Sequence, residues 1–261
     1  MTSVLPPYEE FLVFAEELAD QSREMLLVAS ALDPEIEIKA DASYVTSTDK
    51  AIETAMREMI EARYPDHGIL GEEFENTNID AEFVWVLDPI DGTAPFVAGI
   101  PVFGSLIGLA WNGAPYVGVI EQPMTRDRWV GVAGTMARFN GKPIRTRACA
   151  SVETALVTCS NADFMNGPER EKFDHVRRRA QYVQYGGSCY SYGVLASGRT
   201  DLALDAGLDA FDIYAPAAVI TGAGGFVTDW NGGPLSFDMQ GNVLAAGDKS
   251  RLDEVISIVN G

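Results

Sequence analysis

Apolar residues recur at helical spacing through Phe11, Phe14, Ala15, Leu18, Met25 and Leu26, which predicts an amphipathic helix over Tyr8 to Leu32, ending before Asp33-Pro34. Ile36-Glu37-Ile38-Lys39 alternates like a short strand. A second helix is expected from about Thr48 to Tyr64. Thr46 offers its N-cap and Asp49 lies three residues on, where an acid favours the helix start; Pro65-Asp66-His67-Gly68 stops it. Strands then dominate. Val84-Trp85-Val86-Leu87 is a continuous apolar run suited to a buried strand. Ser105 to Trp111 and Tyr116 to Glu121 flank Asn112-Gly113-Ala114-Pro115 and read as a hairpin. Arg128 to Val132 and Ala137 to Phe139 extend the same sheet, with a turn at Asn140-Gly141.

Beyond Pro143 strands and helices alternate. Strands are expected at Ala155 to Cys159, Tyr182 to Tyr185, Leu202 to Leu204, Phe226 to Thr228 and Val243 to Ala246. Helices are expected at Glu169 to Ala180, Ser188 to Ala196, Asp212 to Ala223 and Arg251 to Val259. An antiparallel part over residues 1–143 followed by an alternating α/β part over residues 144–261 predicts two fused layered units of α+β and α/β character.

Composition narrows the partners. Asp and Glu number 38 against 19 Lys and Arg, a net charge of −19, so nucleic acid and anionic membranes are not expected partners. An anionic substrate would need a local cation, and a bound metal is the obvious source. Cys149, Cys159 and Cys189 form no CxxC pair and read as small apolar residues of a reducing, cytoplasmic protein. The first twenty residues are acidic and unlike a signal peptide, and the apolar run Met25 to Leu32 is too short to span a bilayer.

Trp85-Val86-Leu87-Asp88-Pro89-Ile90-Asp91-Gly92-Thr93 runs a buried strand into two aspartates, and Pro89 is expected to stop the ladder between them. Acids gathered at a strand end repel and need a cation or raised pKa values. Gly92 permits an unusual turn, so the amides of Gly92 and Thr93 can point at an anion. Twelfth from Asp88 is Gly99 and twelfth from Asp91 is Val102, whereas an EF-hand needs Glu there. Alone, the segment also reads as an Asx-rich turn. Two further acidic sites widen the pattern: Glu72-Glu73 after Ile69-Leu70-Gly71, and Asp212 where a helix opens. Taken singly, the first reads equally as a solvated turn and the second as a plain N-cap.

In order, Gly-Glu-Glu at 71–73, Leu-Asp-Pro-Ile-Asp-Gly-Thr at 87–93, and an Asp opening a helix that ends in Ala-Gly-Gly resemble the inositol monophosphatase family of magnesium-dependent phosphomonoesterases. Lys39-Ala40-Asp41, Val45 to Asp49 and Gly186-Gly187-Ser188 extend the likeness over most of the chain. The resemblance implies a layered αβαβα sandwich and a homodimer. It implies that Glu72, Asp88 and the Ile90 carbonyl hold one Mg²⁺, that Asp88, Asp91 and Asp212 hold a second, and that Glu72 helps place a looser third. Thr93 and Glu72 would activate the attacking water, with Asp49 bonded to the Thr93 hydroxyl. The Gly92 and Thr93 amides would hold phosphate oxygens, and Glu73 would be structural. Substrate contacts would come from Asp91, Gly92, Thr93, Gly187, Ser188, Asp205 and Asp212.

The residues themselves agree with such a site. Four carboxylates balance two divalent ions, and oxygen-only ligation suits Mg²⁺ rather than zinc. Two metals can stabilise both the attacking and the leaving oxygen, so no histidine is needed. His67, in a turn, and His175, on a basic helix, read as structural or solvated. Gly222 to Val227 lacks the third glycine of a dinucleotide fingerprint, Gly187-Ser188-Cys189-Tyr190 is no nucleophile elbow, and no Walker A loop occurs. Arg177-Arg178-Arg179 reads as a solvated helix end, and the tryptophans as packing residues.

Tyr185-Gly186-Gly187-Ser188-Cys189-Tyr190, Arg145-Thr146-Arg147 and Asp229-Trp230 resemble the family branch acting on histidinol phosphate. Two positions depart from it: Ser188 stands where that branch usually has Asp, and Ala94 where it usually has Arg. Asp205 stands where the family usually has a substrate-contacting Glu, and also reads as an ordinary strand-end acid. The expected substrate is a small phosphate ester, histidinol phosphate first and myo-inositol 1-phosphate second. The rival from another class is a catalytically silent, acidic metal-binding module.

Overall fold

The computed structural model describes residues 6–32, 36–38, 44–239 and 241–261. The Asp33-Pro34 stop and the Lys39-Ala40-Asp41 segment lie outside the described residues. Helix α1 (Glu9–Ala29) buries Leu12, Ala15, Leu18, Ala19 and Leu26 along one stripe, as its spacing predicts. Strands β1 (Ile36–Ile38) and β2 (Tyr44–Thr46) form an antiparallel ribbon, the second of them without the alternation that marks the first. Helix α2 (Ser47–Arg63) begins on a full capping box. The Thr46 amide donates to Asp49 Oδ2 at 2.8 Å and the Thr48 amide to Thr46 Oγ1 at 3.2 Å.

Strands β3 (Gly68–Gly71), β4 (Phe83–Asp91), β5 (Gly104–Trp111), β6 (Ala114–Gln122), β7 (Asp127–Val132), β8 (Met136–Phe139) and β9 (Lys142–Pro143) form one seven-stranded sheet in chain order. A short helix α3 (Thr93–Ala98), which the sequence pattern does not reveal, joins β4 to β5. The pair β3–β4 is parallel and the other pairs are antiparallel. The second sheet holds β10 (Leu156–Cys159), β11 (Tyr182–Tyr185), β12 (Leu202–Leu208), β13 (Phe226–Asp229) and β14 (Gly241–Ala246), in the order β11-β10-β12-β14-β13. It is mixed: β10 runs parallel to β11 and β12, whereas β14 runs antiparallel to β12 and β13. The remaining helices are α4 (Gly167–Arg179), α5 (Tyr190–Ala196), α6 (Ala210–Gly222) and α7 (Lys249–Asn260).

The layers follow from which faces are apolar. One core cluster joins α1 and α2 to the first sheet through residues such as Leu18, Ile52, Met56 and Trp85. A second joins both sheets through α5 and α6, and a third joins the second sheet to α4 and α7. The result is the αβαβα sandwich. Helix α6 is apolar on all sides because it is the filling between sheets. It lies so close to β6 that a Cβ added at Gly118 would fall 2.2 Å from the Ala215 carbonyl oxygen. No described helix is long and apolar enough to cross a membrane.

Two expectations are corrected. Pro89 does not stop the ladder. Asp88 pairs with Leu106 and Asp91 with Gly104, with a register shift between them. The missing proline donor is absorbed by a bulge, and the Pro89 carbonyl accepts the Ser105 hydroxyl at 2.6 Å. Asp212 does not open its helix. The N-cap is Asp209, and Asp212 is the third helical residue, its Oδ2 accepting the Asp209 amide at 2.7 Å.

Candidate active site

The bulge in β4 brings both aspartates to one end of the sheet, and α6 brings a third acid from the other half. One carboxylate oxygen from each of Asp88, Asp91 and Asp212 lies within 4.8 Å of the others. Each of the outer two also accepts a backbone amide. Asp91 Oδ2 accepts the Cys189 N–H at 2.6 Å, and Asp212 accepts that of Asp209. These bonds to the main chain hold both carboxylates in place. Asp88 is only 1% exposed, and its Oδ1 has no hydrogen-bond partner among the described residues. A buried, unpartnered carboxylate oxygen is costly, and the site answers that cost only with a cation or a proton. Burial pushes the Asp88 carboxyl well above its usual range, and the negative charges of Glu72, Asp91 and Asp212 push it further. Burial also raises Asp91, against the pull of the Cys189 amide, and raises Asp212, assisted by the charge of Asp91.

Glu72 follows the last residue of β3, beside the parallel β4, which carries it within electrostatic reach of Asp88 and Asp212. A support beneath it was not legible as such. Glu53, on α2 and fully buried, accepts the Arg57 Nε at 2.7 Å with one oxygen and the Glu73 amide at 2.8 Å with the other. The i,i+4 spacing of Glu53 and Arg57 can be read from sequence as a helical pair, but not the turn it grips.

Gly92 takes a left-handed backbone with φ of 83° and precedes α3, so the first amides of that helix are left outside its own ladder. A Cβ at Gly92 would come within 2.8 Å of Ser188 Oγ, which places Ser188 across the cradle. Thr93 Oγ1 lies 3.5 Å from Asp49 Oδ1, the neighbour the resemblance implies, and closer, at 3.1 Å, to the Ile90 carbonyl. The single Thr93 hydroxyl proton can go to either acceptor; turned to Asp49 it leaves the Ile90 carbonyl's lone pairs unspent. Gly187 packs against Ser191. Asp205 is buried in the wall, its oxygens accepting the Ser160 amide at 2.6 Å and the Tyr192 hydroxyl at 2.7 Å. It therefore meets the site through what it holds rather than as an open carboxylate.

Asp88, Asp91 and Asp212, with Glu72 beside them, could hold a metal. The donors are all oxygen, one of them is orphaned and buried, and their charges are otherwise unbalanced; this suits a hard divalent cation such as Mg²⁺. The three cysteines are buried and unbridged.

Similarity to known proteins covers the same ground. The inositol monophosphatase family matches residues 8–260. The "Bifunctional phosphatase IMPL2, chloroplastic" of Arabidopsis thaliana is 37% identical over 249 residues, 92% of this chain and 72% of that one. A histidinol-phosphatase of Mycobacterium tuberculosis is 33% identical over 258 residues, 95% of this chain and 97% of that one. The structure of an inositol monophosphatase from Zymomonas mobilis superposes with a TM-score of 0.89 at 36% identity, covering 98% of this chain and 100% of the other. A match from residue 8 to residue 260 takes in both sheets and all three clustered aspartates: the chain belongs to the inositol monophosphatase family.

Proposed function

We propose that this phosphatase hydrolyses histidinol phosphate, at a Mg²⁺ site built on Glu72, Asp88, Asp91, Asp212 and the Ile90 carbonyl. The observation that carries the site is the buried, unpartnered Asp88 oxygen amid clustered carboxylates. The substrate assignment is supported by relatives named histidinol-phosphatase at 32% and 33% identity.

When bound, the metal supplies Lewis acidity: it polarises the phosphoryl oxygens and lowers the pKa of water. The protein does the positioning. The Gly92 and Thr93 amides face the phosphate at the start of α3, where backbone donors and the helix end favour negative charge. Thr93 passes its hydroxyl proton toward Asp49 and turns its lone pair to an attacking water, so the water is held in line with the ester bond. Asp49 is fully buried and locked by Thr46, whose hydroxyl donates to Asp49 Oδ2 at 2.6 Å, so it keeps this orientation. Glu72, steadied through Glu53, takes the proton from the water. Gly187 and Ser188 line the path of the leaving group.

The second reading, myo-inositol 1-phosphate, is favoured by the superposition on the Zymomonas mobilis inositol monophosphatase. Phosphate release from the two esters side by side, with Mg²⁺ and with an EDTA control, separates them. Higher kcat/KM on histidinol phosphate is expected. Preference for the inositol ester would overturn the substrate assignment, and release that survives EDTA would overturn the metal site.

A further inference from the structure

On the α1 side of the seven-stranded sheet lies a cleft of about 320 Å³ whose walls carry four arginines, Arg23, Arg126, Arg128 and Arg138, against one acid, Glu16. Acids outnumber bases 38 to 19 in the chain, whereas here four arginines meet three acids, Glu16 in the wall and Glu121 and Asp20 paired to Arg23 and Arg128, which leaves a local excess of positive charge. The arginines come from separate elements: α1, the turn after β6, β7 and β8. Folding therefore gathers them; no run of basic residues does.

Two of the four are pre-oriented. Glu121, fully buried, accepts Arg23 Nε with one oxygen and Arg128 Nε with the other, each at 2.5 Å. Arg128 also reaches Asp20 at 2.6 Å. The terminal nitrogens of Arg23 have no acceptor among the described residues. Arg126 and Arg138 are exposed and have no acidic partner among the described residues. Two cations thus make no ion pair among the described residues, and a third presents unspent donors in a fixed plane. Guanidinium forks of this kind match the oxygens of phosphates, and holding them in place beforehand lowers the cost of binding.

We propose that this cleft is a second, non-catalytic site that binds a small polyanion carrying a diphosphate. Its volume is at the lower end of ligand pockets, enough for linked phosphates. It is separate from the aspartate cluster, because β7 lies three strands from β4, about 14 Å across the sheet. At that distance its cations are largely screened from the catalytic phosphate. The assignment does not depend on which ester the enzyme hydrolyses.

The test is calorimetric titration of inorganic pyrophosphate into the full chain without added metal at low salt, a condition in which the bare aspartates repel anions. One site per chain is expected. The double variant Arg126→Ala/Arg138→Ala should bind about tenfold more weakly or worse while keeping its unfolding temperature. Asp91→Asn should bind as the parent does. A nucleoside diphosphate that competes would identify the diphosphate as the recognised part. Absence of binding, equal binding by the double variant, loss of binding in Asp91→Asn, or orthophosphate binding as tightly as pyrophosphate would each overturn the proposal. So would dissociation of a dimer by the double variant without pyrophosphate binding to the parent, which would assign these arginines to a subunit contact.

Discussion

Glu53→Gln tests whether the active site rests on a support that touches no substrate. Glu53 is fully buried and its two oxygens are fully used, one by Arg57 Nε at 2.7 Å and one by the Glu73 amide at 2.8 Å. Glutamine keeps the shape but brings a donor. Turned one way, its amide nitrogen faces Arg57; turned the other, it faces the Glu73 N–H. One charge-assisted bond is lost in either orientation, and the other weakens because the carboxylate charge is gone. Each such bond contributes about 1.5–3 kcal/mol, and Arg57 is left poorly compensated, so the expected loss is about 2–4 kcal/mol. For a chain of this size that corresponds to a fall in melting temperature of roughly 4–16 °C. Freeing the Glu73 amide also frees the preceding residue, Glu72, and a displacement near 1 Å at a reacting group costs about a hundredfold in rate. Thermal unfolding followed by circular dichroism gives the first number. Steady-state turnover with saturating Mg²⁺, well below the melting transition, gives the second, expected to fall between about tenfold and a hundredfold. A melting temperature within a degree of the parent together with unchanged kcat would refute both the buried-pair energetics and the role assigned to Glu72.

Thr93→Ala should lower kcat by about a hundredfold through loss of water positioning while Mg²⁺ affinity, read by calorimetry, stays the same. Unchanged turnover would remove Thr93 from the mechanism. Asp91→Asn keeps an acceptor for the Cys189 amide but takes a charge from the cluster; Mg²⁺-dependent turnover should vanish and Mg²⁺ affinity fall, and retention of both would displace Asp91 from the site. His67 stacks on Tyr64 with ring centroids 4.6 Å apart and accepts the Trp85 indole N–H at 3.2 Å, a bond only its neutral form makes. Burial holds its pKa below the usual 6.5, against the pull of Asp66 and Glu82. The unfolded chain then binds the extra proton first, so His67 contributes stability above about pH 6.5 that is lost as pH falls toward its folded value. The melting temperature should drop over that interval in the parent and drop less in His67→Phe; identical pH profiles would show that His67 does not contribute.

Much of the fold is legible because it is local. The stripe of α1, the capping box of Thr46 and Asp49, the turns at Asn112-Gly113 and Asn140-Gly141 and the strand into Asp88 each depend on a few neighbouring residues. Helix α3 escapes the pattern because six residues are too few to show a period, and β2 because Tyr44-Val45-Thr46 lacks the apolar-polar alternation that marks the equally short β1. Pro89 is misread for another reason. Proline removes a donor, which predicts a break, but whether the sheet breaks or bulges depends on β5 lying alongside and on Ser105 accommodating the turn.

The carboxylates of the site are likewise spelled out in order along the chain, since Glu72 and Asp91 sit at or beside strand ends, Asp88 lies just before the bulge in β4, and the motif between residues 87 and 93 is continuous. Their convergence is not. Asp212 reaches Asp88 only because α6 is sandwiched between the sheets, Asp91 is oriented by an amide 98 positions away at Cys189, and Glu53 reaches the Glu73 amide 20 positions on. The arginine cleft belongs to the same class, drawing Arg23 and Arg128 onto one buried Glu121. Sequence by itself determined the residue chemistry and the local geometry, because helical and strand periods and caps act over a few residues. Only the tertiary structure decided which of these groups meet, because bringing distant side chains together in a dry interior depends on how the layers pack, and burial is what turns isolated acids into a site that requires a cation.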